Sequence, residues 1–214
     1  PMYFFNRDTS PFLNRLSQSS TVFKHCYAPS SWTAPATASL FTSMYPFQHG
    51  VLMGLMAILN QKKADPTIKI NKIPAEIETL TEVLKKAGYR TFGIADNANI
   101  DKKEGFDQGF DRLKTYNYQG ASKVNETALA WKEKIRSGGK YFLYLHYMDP
   151  HAPYFKQKPW YREGKKGKIP ISLEAYLSEI SYADSYIEKL YEAFNWDENT
   201  IFIVTSDHGE GLWD

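Results

Sequence analysis

Residues 141–147 (YFLYLHY) form an almost unbroken apolar run, bounded by Gly138-Gly139 before it and Asp149-Pro150 after it. A strand apolar on both faces belongs inside a sheet that is covered on both sides, which is the habit of parallel sheets. The run therefore predicts an α/β chain: a mostly parallel sheet with helices on both faces.

The rest of the chain alternates in keeping with that. Ser10-Pro11 ahead of Phe12, Leu13 and Leu16 reads as an N-cap, a first-turn proline and a short helix. Residues 21–27 (TVFKHCY) read as a strand. In residues 74–87 (PAEIETLTEVLKKA), Ile77, Leu80, Val83 and Leu84 share one helical face, acids come early and lysines late, and Gly88 follows as a stop. Residues 89–95 form the next predicted strand, 121–136 a helix, 172–194 a long helix, and 200–206 (TIFIVTS) a last strand. Residues 105–111 (GFDQGFD) carry turn chemistry. Residues 156–168 (KQKPWYREGKKGK) hold six basic residues against one acid, the pattern of a solvated loop or of a surface that recruits an anionic substrate.

With 214 residues, 43% of them hydrophobic, the chain can bury one sizeable core, and no internal repeat divides it. A single domain over residues 1–214 is expected. Net charge is +2, from 26 basic and 24 acidic residues, so composition gives no reason to expect nucleic acid as a partner. The longest apolar run, residues 51–59 (VLMGLMAIL), is interrupted by Gly54. It falls far short of the roughly 20 residues that span a bilayer, so no membrane segment is predicted here. The lone Cys26 excludes an internal disulfide and reads as a small buried hydrophobe. Pro1 is not a natural translation start, so an upstream segment is expected.

Three positions carry chemistry. The last predicted strand runs into Asp207-His208-Gly209-Glu210. A carboxylate and an imidazole at the carboxyl end of a strand suit a metal site, and Gly209 also suits a plain exposed turn. His151 lies between Pro150 and Pro153, which hold its backbone at the sheet edge, where the ring can bind an anionic oxygen or protonate a leaving group. His146, close by, reads equally well as a surface histidine. Thr33 precedes Pro35 and a helical pattern through Leu40 and Phe41. A hydroxyl there is either an ordinary N-cap or a nucleophile placed where helix amides favour a tetrahedral oxyanion.

Taken in order, WTAPATASLFTSMYPFQHG, GYRTFGIADNANI, GFDQGFD, FLYLHYMDPHAPY and IFIVTSDHGEGL resemble the sulfatase family of the alkaline phosphatase superfamily, over nearly the whole chain. The resemblance implies an alkaline phosphatase-like fold and a metal-dependent hydrolase of sulfate or phosphate esters that works through a covalent intermediate. It also implies an anionic ester substrate and a divalent cation: calcium, magnesium, manganese or zinc. Localisation leans extracytoplasmic on the same ground. The family signature, Cys or Ser followed by x-Pro-Ser-Arg and later Thr-Gly, falls on Thr33, Pro35, Ala36, Thr37 and Thr42-Ser43. Thr33 thus takes the nucleophile position and is a metal ligand, Asp207 and His208 match metal ligands, and His151 matches a substrate-contacting histidine.

The departures are informative. Sulfatases oxidise their Cys or Ser to formylglycine, and the methyl group of a threonine prevents that aldehyde from forming. The signature Arg is Thr37, and the family's Gly-Lys-Trp-His segment is replaced by Ala95-Asp96-Asn97-Ala98. Threonine nucleophiles belong to the phosphodiesterase and phosphotransferase branches, so phosphoryl or phosphonyl chemistry gains ground. A phosphotransferase and a non-catalytic binding protein of the same family are the alternatives. The Cys26-Tyr27-Ala28-Pro29 stretch has one residue too many between Cys and Pro for the signature. The resemblance further implies a metal-binding strand before Pro1 and additional ligands after Asp214. On that expectation the chain is an incomplete domain with little activity of its own.

Overall fold

A computed structural model describes residues 7–69, 71–163, 171–196 and 198–211. Among the described residues, three parallel strands form the sheet: β1 (Arg90–Ala95), β2 (Arg112–Thr115) and β3 (Tyr141–His146), in the order β2-β1-β3. Around it lie α1 (Pro11–Ser17), α2 (Thr33–Thr42), α3 (Pro46–His49), α4 (Leu55–Ala64), α5 (Leu80–Lys86), α6 (Gly120–Arg136) and α7 (Ile171–Phe194). The α/β class and the parallel sheet agree with the apolar periodicity.

The two-residue period of the strands divides the core into two layers. Phe92 and Ile94 of β1, with Tyr141, Leu143 and Leu145 of β3, pack against Val124, Ala128, Trp131 and Ile135 of α6 and Leu190 and Phe194 of α7. Phe142 and Tyr144 face the other way, into a layer formed by Ala34, Ala38 and Phe41 of α2 with Ile73, Ile100 and Phe106. Phe41 lies at its centre, edge-on to Phe106, Phe110 and Tyr144. The same alternation sends His146 to the α2 side of the sheet. α1 is tied to α7 by Asp184, whose carboxylate accepts the amides of Phe12 and Leu13. Ser10 stands at the N-cap position but makes no side-chain cap bond.

Several expectations need correction. Residues 21–27 form no strand, and Phe23, Tyr27 and Cys26 are exposed, so Cys26 is not a core residue. The helix expected over residues 74–87 starts only at Leu80. Thr79 is extended there and accepts the Glu82 amide, while the Glu82 side chain returns to the Thr79 amide. This capping box fixes the first turn, and Thr81 is buried while Leu80 and Val83 are exposed. β3 is half-buried along its whole length instead of sealed on both faces, because among the described residues it pairs with β1 alone. Residues 200–206 have strand composition but form no ladder among the described residues: Phe202 packs on Tyr191 and Trp196, whereas Ile201 is 89% and Ile203 78% exposed. Residues 164–168 of the basic loop lie outside the described residues. Among the described residues, no helix is long and apolar enough to cross a membrane.

Candidate functional site

Thr33 is the first residue of α2. Trp32, in extended conformation, occupies the N-cap position, and its carbonyl accepts the Ala36 amide. The Thr33 side chain therefore does not cap the helix. It is buried, and its Oγ1 lies 3.1 Å from His208 Nε2. The His208 Nδ1 is 2.6 Å from the Gly209 carbonyl oxygen, which can only accept, so Nδ1 carries the proton and Nε2 presents a lone pair. Thr33 is accordingly the donor in the contact with His208.

Asp207 closes the group. Its Oδ2 stands 3.6 Å from His208 Nε2 and 3.9 Å from His146 Nε2, ion-pair separations beyond hydrogen-bond reach. That oxygen is buried without a hydrogen-bond partner. Burial alone would raise the Asp207 carboxyl, but the neighbouring His146 first, and then His208, draw it down to about 2. The carboxylate is thus held ionised. The nearby Tyr144 phenol is pushed well above its usual range by burial and by the Asp207 charge.

An ionised carboxylate with one orphaned oxygen, beside an imidazole nitrogen whose ring is anchored by its other N–H, suits a divalent cation. Asp207, His208 and Thr33 would hold it. Among the described residues, no set of three or more His, Cys, Asp or Glu side chains is disposed to hold a metal unaided.

His146 converges on Asp207, although its sequence context reads as either site or surface. The strand alternation was the available signal: His146 follows Phe142 and Tyr144 on the α2 face. His151 goes elsewhere. Its Nδ1 is 2.6 Å from the Ala152 carbonyl and 3.1 Å from the Tyr118 hydroxyl, and the Tyr118 ring meets it edge-on. It lines a separate cleft, and no described contact joins it to Thr33, Asp207 or His208. Glu210 relates the two regions. It accepts a 2.6 Å hydrogen bond from the Tyr154 hydroxyl, and its charge, after burial, helps to raise Tyr118. Neither Tyr118 nor Glu210 carries a sequence signal of its own.

A sequence model of the family described as Sulfatase matches residues 2–214. No curated protein matches the chain. Among solved structures, the fold is similar to the lipoteichoic acid synthase LtaP from Listeria monocytogenes (19% identity, 89% of this chain, 48% of that one, TM-score 0.63). It is similar as well to the Streptococcus pyogenes phosphoglycerol transferase GacH (16% identity, 87% and 50%, TM-score 0.56). A third is the phosphonate monoester hydrolase of Agrobacterium radiobacter (12% identity, 87% and 54%, TM-score 0.57). The chain spans about half the length of these three proteins. The family match over nearly every residue leads to one conclusion: the chain belongs to the sulfatase family.

Proposed function

We propose that residues 1–214 form part of one catalytic domain, and that the protein hydrolyses sulfate, phosphate or phosphonate esters with Thr33 as nucleophile. The observation that carries this reading is the 3.1 Å contact from Thr33 Oγ1 to His208 Nε2, beside the orphaned oxygen of Asp207. A divalent cation bound by Asp207, His208 and Thr33 would lower the pKa of the hydroxyl and offset charge on the ester oxygens.

The chain's own groups do the rest. The first-turn amides of Thr33 and Ala34 have no intrahelical acceptor and can receive a tetrahedral oxyanion. Thr33 Oγ1 loses its proton to solvent and forms a bond to sulfur or phosphorus as the bond to the ester oxygen breaks on the opposite side, that oxygen leaves as the alcohol by taking a proton from water, and a second water hydrolyses the Thr33 ester to restore the hydroxyl. His151 carries its proton on Nδ1, facing the Ala152 carbonyl, so its neutral Nε2 accepts a hydrogen bond and its protonated ring donates one to an anionic oxygen.

A second reading is phosphotransfer, in which an alcohol replaces water in the last step. It is supported by a threonine at the nucleophile position, which favours phosphorus chemistry, and by the fold shared with a phosphoglycerol transferase. Steady-state rates on p-nitrophenyl sulfate, phosphate and phosphonate esters, with and without glycerol, separate these outcomes. Hydrolase action predicts turnover that Thr33→Ala abolishes. Rates unchanged by that substitution would remove Thr33 from the mechanism, and a wild type inactive on every ester with the cation present would favour a binding protein.

A further inference from the structure

The cleft that holds His151 is lined by three acids that the proposed reaction does not use, of which buried Asp96 has both carboxylate oxygens taken by the amides of Gln119 and Gly120. Asp149, only 9% exposed, accepts the Ala121 amide through Oδ1, and Glu179, 2% exposed, accepts the Phe155 amide through Oε1. Their second oxygens, Asp149 Oδ2 and Glu179 Oε2, are buried with no hydrogen-bond partner. Both side chains line the cleft. Among the described residues, neither Lys nor Arg lines it. Two buried carboxyl groups without a counter-ion are costly, and a cationic guest relieves that cost. Consistent with such frustration, Glu179 is pushed up to about 8 by burial and by the Asp149 charge, against the pull of the Phe155 amide.

The walls indicate what kind of cation fits. No set of three or more His, Cys, Asp or Glu among the described residues is disposed to hold a metal ion. Aromatic rings stand there instead: Tyr118, Phe155 and Tyr182 line the same cleft. Carboxylates beside ring faces attract an organic ammonium through ion pairing and cation–π contact together.

We propose that this cleft binds a primary organic ammonium, paired with Asp149 and Glu179 and flanked by Tyr118, Phe155 and Tyr182. Two sources share that chemistry: an amino group on an ester substrate long enough to reach both this cleft and Thr33, or a free amine. The first source rests on the hydrolase reading above, whereas binding itself does not.

Thermal unfolding of the full chain with ethylammonium chloride, with ethanol as the neutral match and with sodium or magnesium chloride at equal ionic strength, tests the binding without turnover. Ethylammonium at about 50 mM is expected to raise the melting temperature by about 3 °C or more, with no such rise from the other three. Glu179→Gln and Asp149→Asn keep the bonds to the Phe155 and Ala121 amides and should each abolish the ethylammonium effect, while Thr33→Ala should keep it. An equal rise with ethanol, a rise only with magnesium, no rise at all, or a rise that survives in both variants would overturn the proposal. Matched p-nitrophenyl phosphate diesters with an aminoethyl or a hydroxyethyl arm then distinguish the source. A KM about tenfold lower for the amine, lost in Glu179→Gln, assigns the ammonium to the substrate, and equal KM values with ethylammonium still bound assign it to a free amine. Absence of turnover on both diesters would count against the hydrolase reading and leave the binding result standing.

Discussion

Thr33 Oγ1 and His208 Nε2 meet at 3.1 Å across 175 residues of chain. The contact depends on two local decisions. Trp32 takes the N-cap position, which frees the Thr33 hydroxyl, and the Gly209 carbonyl fixes the His208 ring so that Nε2 faces Thr33.

Replacing Thr33 with Ala removes the proposed nucleophile and is expected to cost roughly 10³-fold or more in kcat. Thr33→Ser retains the hydroxyl and should stay within about 100-fold of the parent. Single-turnover assays on the preferred ester check both, and comparable losses in the two variants would point to a packing role for the side chain.

His146 reaches Asp207 at 3.9 Å and carries no assigned role in the chemistry. Its substitution by Gln should weaken binding of the divalent cation by about 10- to 100-fold while leaving the fold intact, because it supports a ligand without being one. Calorimetric titration of the purified protein with manganese measures this. An affinity equal to that of the parent would reduce His146 to a bystander.

Two glycines with similar backbone angles should respond differently to Ala. Gly139 has φ +84 and open space where the methyl group of an alanine would stand, so Gly139→Ala carries only the conformational cost, about 1 kcal/mol. At Gly109, φ is +78 and an added Cβ would come within 2.4 Å of the Glu82 nitrogen, at the start of α5. Overpacking adds about 1–3 kcal/mol there. Urea denaturation of the two variants should rank them in this order.

Stability should fall as pH rises through the neutral range. Glu104 is 1% exposed, with neither carboxyl oxygen hydrogen-bonded, and burial, followed by the Asp101 charge, pushes it from 4.5 to about 7. Glu179 lies higher still, at about 8. A raised carboxyl keeps its proton in the folded state after the unfolded chain has lost it. The folded state therefore binds more protons, and stability declines from about pH 4.5 up to about 7 for Glu104 and about 8 for Glu179, by at most about 1.4 kcal/mol per pH unit per group. Asp207 has the opposite sign, its contribution being lost only as pH falls from 3.8 towards about 2. Urea midpoints at pH 5 and pH 8 measure the decline due to the two glutamates, and Glu104→Gln should flatten the lower part of the slope.

The apolar run of residues 141–147, the alternating helices behind it and the order of the motifs were enough to determine the α/β class, β1, β3, α6, α7 and the family. Those features are local: a periodicity or a motif needs only its neighbours in the chain. Tertiary structure alone decided which groups share a site. Residues 200–206 show that composition cannot supply a ladder, since a strand needs a partner edge and the described sheet pairs none with them. His146 joined Asp207 because β3 alternates its faces and α2 lies over one of them, while His151, five residues later, turned into the cleft of Asp149 and Glu179. Convergence of that kind depends on how parallel strands and helix ends are brought together in space, and no stretch of sequence contains it.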